Sequence, residues 1–189
     1  MSANDKTAVG GGSGEWMTPP ALFQMLNRRW HFDFDMWASH ENALTKTYAT
    51  PEGTFRKDSS KWLGYVQIDT LDGLHFEPTN RRAFGNPPFT RGLIGPCIDY
   101  AIQAAEVMEC MALLVPASTE TEWFQRAYSA FGEPIWLPRR VKFIHPFTRC
   151  INRKGEECTH ALGEPAPDAP SGMAIFEANI PKQRWLEAL

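Results

Sequence analysis

The chain has 189 residues, 43% of them hydrophobic and 22% charged, with a formal net charge of −3. That is an ordinary globular composition, long enough to bury a full core, and it excludes a low-complexity chain. No apolar run approaches the ~20 residues of a membrane helix, and Met1 to Gly14 lacks the order of a signal peptide, so a cytoplasmic protein without membrane contact is expected.

Residues 1–14 end in Gly10-Gly11-Gly12-Ser13-Gly14, a flexible tail by composition. No strand precedes this run and no Lys-Ser/Thr follows it, so it is not a phosphate-cradling loop. Residues 15–189 are expected to form a single domain. Thr18 reads as a helix N-cap with Pro19 at the first helical position, and Leu22, Phe23, Leu26 and Trp30 make an apolar stripe at helical spacing. Phe32 and Phe34 alternate with Asp33 and Asp35 as in a strand. Ser39 to Lys61 is polar, with a short helix near Asn42 as one reading. Tyr65 to Ile68 is a weak strand, Asp72-Gly73 a turn, and Ala83-Phe84 the end of a further strand.

Beyond position 90, Ile94, Ile98, Ala101, Ile102, Ala105 and Met108 share one helical face. Met111 to Val115 is a continuous apolar run, as expected of a strand buried on both sides. Thr119 and Glu122 have the spacing of a capping box for a helix carrying Trp123, Phe124, Ala127 and Phe131. Ile135 to Leu137 and Val141 to Ile144 read as strands. Residues 146–171 read as a long loop, and Met173 to Phe176 as a last strand. Strands alternating with helices predict an α/β fold, a mostly parallel central sheet flanked by helices. Ligands of such sheets sit at the carboxyl ends of the strands, so Asp35 and Asn86, both at strand ends, are expected to face one pocket.

Cys97 and Cys110 lie in apolar contexts and read as buried thiols. Cys150, Cys158 and His160, with His145, offer a zinc reading, but the spacing between the cysteines departs from that of zinc knuckles, so no metal is expected. From Arg139 to Lys154 the chain carries six basic residues, Arg139, Arg140, Lys142, Arg149, Arg153 and Lys154, and no Asp or Glu. A phosphate-facing stripe and a solvated face are both compatible with that pattern.

The segment Asn86-Pro87-Pro88-Phe89 carries the most chemistry. An amide oxygen accepts an N–H, and a proline has a free carbonyl but no N–H. The Asn86 side chain and the Pro87 carbonyl can therefore grip one amine while Phe89 stacks on the ring that bears it. The bland alternative is a strand-ending turn. The wording is that of the catalytic motif of amino-group methyltransferases.

With Glu15-Trp16-Met17-Thr18-Pro19, Phe32 to Ser39, Glu41-Asn42-Ala43, Leu114-Val115-Pro116-Ala117 and Arg140-Val141-Lys142-Phe143, in that order, the chain resembles the phage-type, Dam-like DNA adenine methyltransferases. The resemblance implies a Rossmann-like S-adenosylmethionine-dependent methyltransferase fold. It also implies S-adenosylmethionine as methyl donor, DNA as partner and no obligatory protein partner, in a bacterial host cell. It assigns Asn86, Pro87, Pro88 and Phe89 to catalysis. Thr18, Pro19, Asp35, Trp37, Ala38, Ser39, Glu41 and Asp72 are assigned to the cofactor. The glycine-rich loop of many relatives is absent, and Ser39 stands where glycine is expected, which leaves the ribose-binding acid open between Glu41 and Asp58. Arg91, Arg139, Arg140 and Lys142 are the expected DNA-binding residues, with Arg81 and Arg82 as further backbone contacts and the 146–171 loop as a DNA-contacting insertion. Methylation of RNA or of a protein glutamine, or a catalytically silent nucleic-acid-binding module, are the competing functions.

Overall fold

The computed structural model describes residues 16–58, 60, 65–69, 79–90, 92–144, 149–151, 157–159 and 170–179. Three helices are found among them: α1 (Pro20–Trp30), α2 (Ile94–Ala104) and α3 (Glu122–Phe131). The strands are β1 (Phe34–Asp35), β2 (Thr47–Thr50), β3 (Gly53–Lys57), β4 (Tyr65–Asp69), β5 (Arg82–Gly85), β6 (Cys110–Pro116), β7 (Ile135–Trp136), β8 (Arg149–Ile151), β9 (Glu157–Thr159) and β10 (Met173–Ala178). Eight of them form one sheet in the order β4-β3-β2-β1-β5-β6-β10-β7, and β8 and β9 form a separate hairpin.

The expected α/β class holds, but the sheet is mixed rather than mostly parallel. Only its centre is parallel, through the pairs β2–β1, β1–β5 and β5–β6. The pairs β2–β3, β3–β4, β6–β10 and β10–β7 are antiparallel. The cause is local. Pro51 and Glu52 turn β2 straight back into β3, and Gly53 takes φ +140°, which a side chain disfavours. A two-residue turn can join only antiparallel strands, whereas parallel neighbours need a long crossover such as α2 between β5 and β6.

Strand β6 is buried throughout, as its apolar run predicts, and its side chains divide by period two. Met111, Leu113 and Val115 join the core under α2 and α3, with Ile98, Ala101, Phe124 and Ala127. Cys110, Ala112 and Leu114 join the core under α1, with Phe23, Leu26 and Trp30. Helices thus cover both faces of the central strands. Cys97 and Cys110 are buried thiols, and burial pushes that of Cys97 up to about 12, so it is protonated and inert at neutral pH.

Several boundaries differ from the pattern. The N-cap of α1 is Pro19, not Thr18, whose hydroxyl caps nothing. Helix α1 closes where His31 takes the left-handed conformation and its N–H returns to the Asn27 carbonyl at 2.8 Å. The region after Ser39 holds β2 and β3 with a turn near Asn42, not a helix. Residues 141–144 form no strand, only an isolated bridge of Ile144 with Met17. The 146–171 segment contains the β8–β9 hairpin, whose register sets Cys150 opposite Cys158. Asp72-Gly73, His145, His160 and the tail at 1–14 lie outside the described residues.

Helix α3 is capped by Thr121, not by Thr119. The Thr121 hydroxyl accepts the Phe124 N–H at 3.4 Å and donates to the Ser118 carbonyl at 2.8 Å. Losing an N-cap costs roughly 0.5–2 kcal/mol. Thr121→Ala is therefore expected to lower unfolding free energy by about 1 kcal/mol in urea titration, and Thr119→Ala to change it by less than about 0.5 kcal/mol.

Candidate active site

Strands β1 and β5 are parallel neighbours, with Phe34 opposite Ala83 and Asp35 opposite Phe84. Their carboxyl ends therefore lie side by side, and Asp35 and Asn86 leave the sheet at one edge as expected. The Met36 N–H donates to the Phe84 carbonyl at 2.9 Å, which extends the pairing toward that edge. Gly85 has a steric reason to lack a side chain. A methyl group there would come within 2.7 Å of the Trp37 ring and 2.8 Å of the Leu113 side chain. Trp37 thus lies against the backbone of the residue preceding Asn86.

Asn86 is held by the N-terminal segment. Its Nδ2 donates to the main-chain carbonyl of Trp16 at 2.6 Å. Its Oδ1 is buried and has no hydrogen-bond partner, and neither has the buried hydroxyl of Thr18 two residues beyond Trp16. Buried polar atoms without partners are rare, because each forfeits its hydration. Among the described residues two further buried side-chain atoms lack hydrogen-bond partners, Trp30 Nε1 and Glu177 Oε1. Pro87 is buried, and Pro88 and Phe89 are half-buried. The Phe89 ring meets Phe143 edge to face, with centroids 5.7 Å apart and planes at 83°.

Asp35 is a buried acid, 3% exposed. Its Oδ2 accepts the Leu44 N–H at 3.0 Å. Burial pushes its pKa up to about 6, against the downward pulls of the Leu44 N–H, the Lys57 ammonium and the Trp37 N–H. Ser39 and Asn42 close the intervening loop on each other. The Ser39 N–H donates to Asn42 Oδ1 at 2.7 Å, the Asn42 N–H to Ser39 Oγ at 3.3 Å, and the Ala43 N–H to the Ser39 carbonyl at 3.1 Å. Ser39 is thus a turn-forming residue in this structure, and Asn42, whose side chain the pattern did not single out, does half of that work. Ala38 is buried, Pro19 and Trp37 are half-buried and Glu41 is exposed.

Asp58 follows β3, which runs antiparallel to β2, so it leaves the sheet near the start of β2 and away from the carboxyl end of β1. It accepts the N–H and hydroxyl of Ser60, at 3.0 and 2.6 Å. The acid that does follow the carboxyl end of β2 is Glu52, beside His40 at 4.0 Å. Only the strand order reveals it.

Arg139, Arg140 and Lys142 are exposed, while Val141 and Phe143 between and after them are buried. The basic segment is therefore pinned by the ring that touches Phe89. Arg81 and Arg82 stand at the opposite, amino-terminal edge of β5 and are occupied there. Arg82 Nε donates to the Trp30 carbonyl at 2.7 Å and its guanidinium pairs with Glu109, while the Arg81 guanidinium lies 5.7 Å from the Phe34 ring centre. They are scaffold rather than part of this site. Arg91 and Asp72 lie outside the described residues.

An amide with an unpaired oxygen, a proline pair, an aromatic ring and a buried acid thus stand at or just beyond the carboxyl edge of the β1–β5 pair. The family model for DNA N-6-adenine-methyltransferase (Dam) matches residues 11–162. The chain belongs to that family. It is also 28% identical over 123 residues to a DNA N-6-adenine-methyltransferase of Escherichia phage T1, an alignment covering 65% of this chain. The chain spans 44% of that relative's length.

The raised pKa of Asp35 has a thermodynamic consequence. The folded protein binds this proton more tightly than the unfolded chain, whose carboxyl titrates near 3.8, so stability falls as pH rises from there through about 6. The ionised acid is a cost on the order of 3 kcal/mol at neutral pH. Asp35→Asn removes that term, so the stability of the variant relative to wild type should rise between pH 4 and pH 6.5 and level off above. Urea midpoints across that range measure it, and a pH-independent difference would contradict a raised Asp35 pKa.

Proposed function

We propose that this chain methylates the exocyclic 6-amino group of adenine in DNA, on a Rossmann-like methyltransferase fold. The parallel centre β2-β1-β5-β6, with helices on both faces, supports that fold class. The observation that carries the function is the buried, unpartnered oxygen of Asn86 at the carboxyl end of β5.

S-adenosylmethionine, when bound, supplies an electrophilic methyl group on a sulfonium. The residues present fit such a molecule: the unpaired Thr18 hydroxyl and the buried Asp35 carboxylate are acceptors for ammonium and hydroxyl donors. Pro19, Trp37 and Ala38 would line the same corner, and Ser39 would contribute through its loop. Glu52 and Glu41 are better placed for ribose hydroxyls than Asp58, because ligands of such sheets lie beyond the carboxyl ends of the strands, which Glu41 follows in β1 and Glu52 in β2. Asp72 is kept as a cofactor residue on the resemblance.

The adenine amine is a weak nucleophile because its lone pair is shared with the ring. The Asn86 oxygen and the Pro87 carbonyl would each accept one of its hydrogens, which directs the lone pair out of the ring plane. Positioning and oriented dipoles then do most of the work. The Asn86 oxygen is covered in the free protein, so the side chains over it must yield as the base enters. The base must leave the duplex, at a few kcal/mol, and stacking on Phe89 would return about 1–3 kcal/mol of that. Arg139, Arg140 and Lys142, with Arg91, would contact the phosphate backbone beside the site.

Tritiated S-adenosylmethionine offered with DNA, RNA and protein tests the substrate: label is expected in DNA alone. Asn86→Ala should reduce transfer at least about a hundredfold, the scale of one oriented dipole at a reacting atom. Its S-adenosylhomocysteine affinity, by calorimetry, should be retained. Replacing Arg139, Arg140 and Lys142 together by Gln should reduce the slope of log affinity against log salt by up to about 0.9 per charge. An unchanged slope would put the DNA on another face.

A further inference from the structure

We infer that the main-chain carbonyl of Trp16 is a positioning group that sets which end of the Asn86 amide meets the substrate, and that it makes position 86 selective for an amide over a carboxylate. This rests on the adenine-methyltransferase reading and adds to it a residue whose side chain plays no part. A carbonyl can only accept a hydrogen bond, so a partner at 2.6 Å must be the amide nitrogen. The NH₂ end is thereby fixed on Trp16, and the oxygen is the end left unpaired. Without this tether the amide could rotate by half a turn about its last bond and offer two donors to an amine that needs acceptors.

The tether is itself anchored. Trp16 is buried in the α1-side core, 7% exposed. The next residue, Met17, exchanges a pair of backbone hydrogen bonds with Ile144, at 3.1 and 3.0 Å. Ile144 follows directly on Lys142-Phe143, the segment whose ring touches Phe89. Residues 16–17 therefore lie between the catalytic amide and the basic segment and join them by hydrogen bonds at both ends. A carboxylate at position 86 would place a second acceptor against the Trp16 carbonyl. The repulsion is relieved only when the carboxyl takes up a proton and donates it to that carbonyl.

Two measurements test the inference on the full-length protein. The first is NMR of wild type labelled with ¹⁵N in asparagine and ¹³C in the tryptophan carbonyl. A coupling across the hydrogen bond between Asn86 Nδ2 and the Trp16 carbonyl carbon is expected, and its absence overturns the tether. The second is the methylation rate of Asn86→Asp on an adenine-containing duplex, divided by that of wild type, from pH 8.5 to pH 5.5. The ratio should be at least about tenfold higher at the acid end, which corresponds to one pKa unit of differential interaction. A ratio that stays flat overturns the selectivity for an amide. A wild-type protein that shows the coupling but methylates no DNA refutes the enzymatic reading itself and leaves only the contact.

Discussion

The parallel pairing of β1 with β5 is the constraint on which the site depends. Strand β1 is only two residues long, yet its register fixes everything at the carboxyl edge. Asp35 lies opposite Phe84, and Asn86 follows two residues later. A slip of one residue would turn Phe34 and Asp35 to opposite faces and break the arrangement. So short a strand cannot hold its register by ladder bonds alone. It is held by burial: Phe34 and Met36 are sealed in the core under α2 and α3, and Phe84 in the core under α1. Trp37 against Gly85 completes the contact beyond the last ladder position.

Three buried polar groups near this edge and the segment 16–18 act against folding. A buried carboxylate without a full ion pair, a buried hydroxyl without a partner and a buried amide oxygen without a donor each oppose folding. The apolar layers on both faces of β6 supply the burial that offsets them. Local violations of the usual rules tend to collect at sites where a ligand will satisfy them. Here the Asp35 carboxyl and the Asn86 oxygen, from separate stretches of the chain, come to one edge of the β1–β5 pair, while the other buried atoms without hydrogen-bond partners belong to Thr18, to Trp30 at the end of α1 and to Glu177 on β10.

The N-terminal segment does more than its position in the chain implies. Trp16 packs as a core residue, but its carbonyl reaches the amide of Asn86. Met17 pairs with Ile144, and Phe143 packs on Phe89. Three segments far apart in sequence thus share one small region: 16–18, 86–89 and 141–144. That convergence explains how an exposed basic stretch with no regular strand structure is held beside residues 86–89.

The sequence alone determined the local features whose cause lies within a few residues. The helical stripe of α1, the face of α2 and the doubly buried run of β6 are all legible there, because period and side-chain type suffice. The tertiary structure alone decided what depends on pairing. Thr47 to Lys57 reads as polar and irregular, yet forms β2 and β3, because sheet neighbours and a tight turn at Pro51-Glu52 outweigh weak strand propensity. Arg82 looks like a free cation in sequence, yet it is bound by the Trp30 carbonyl and Glu109. No pattern in the chain announces that a carbonyl seventy residues upstream holds the Asn86 amide, since every residue carries the same carbonyl and only the fold brings that one within reach.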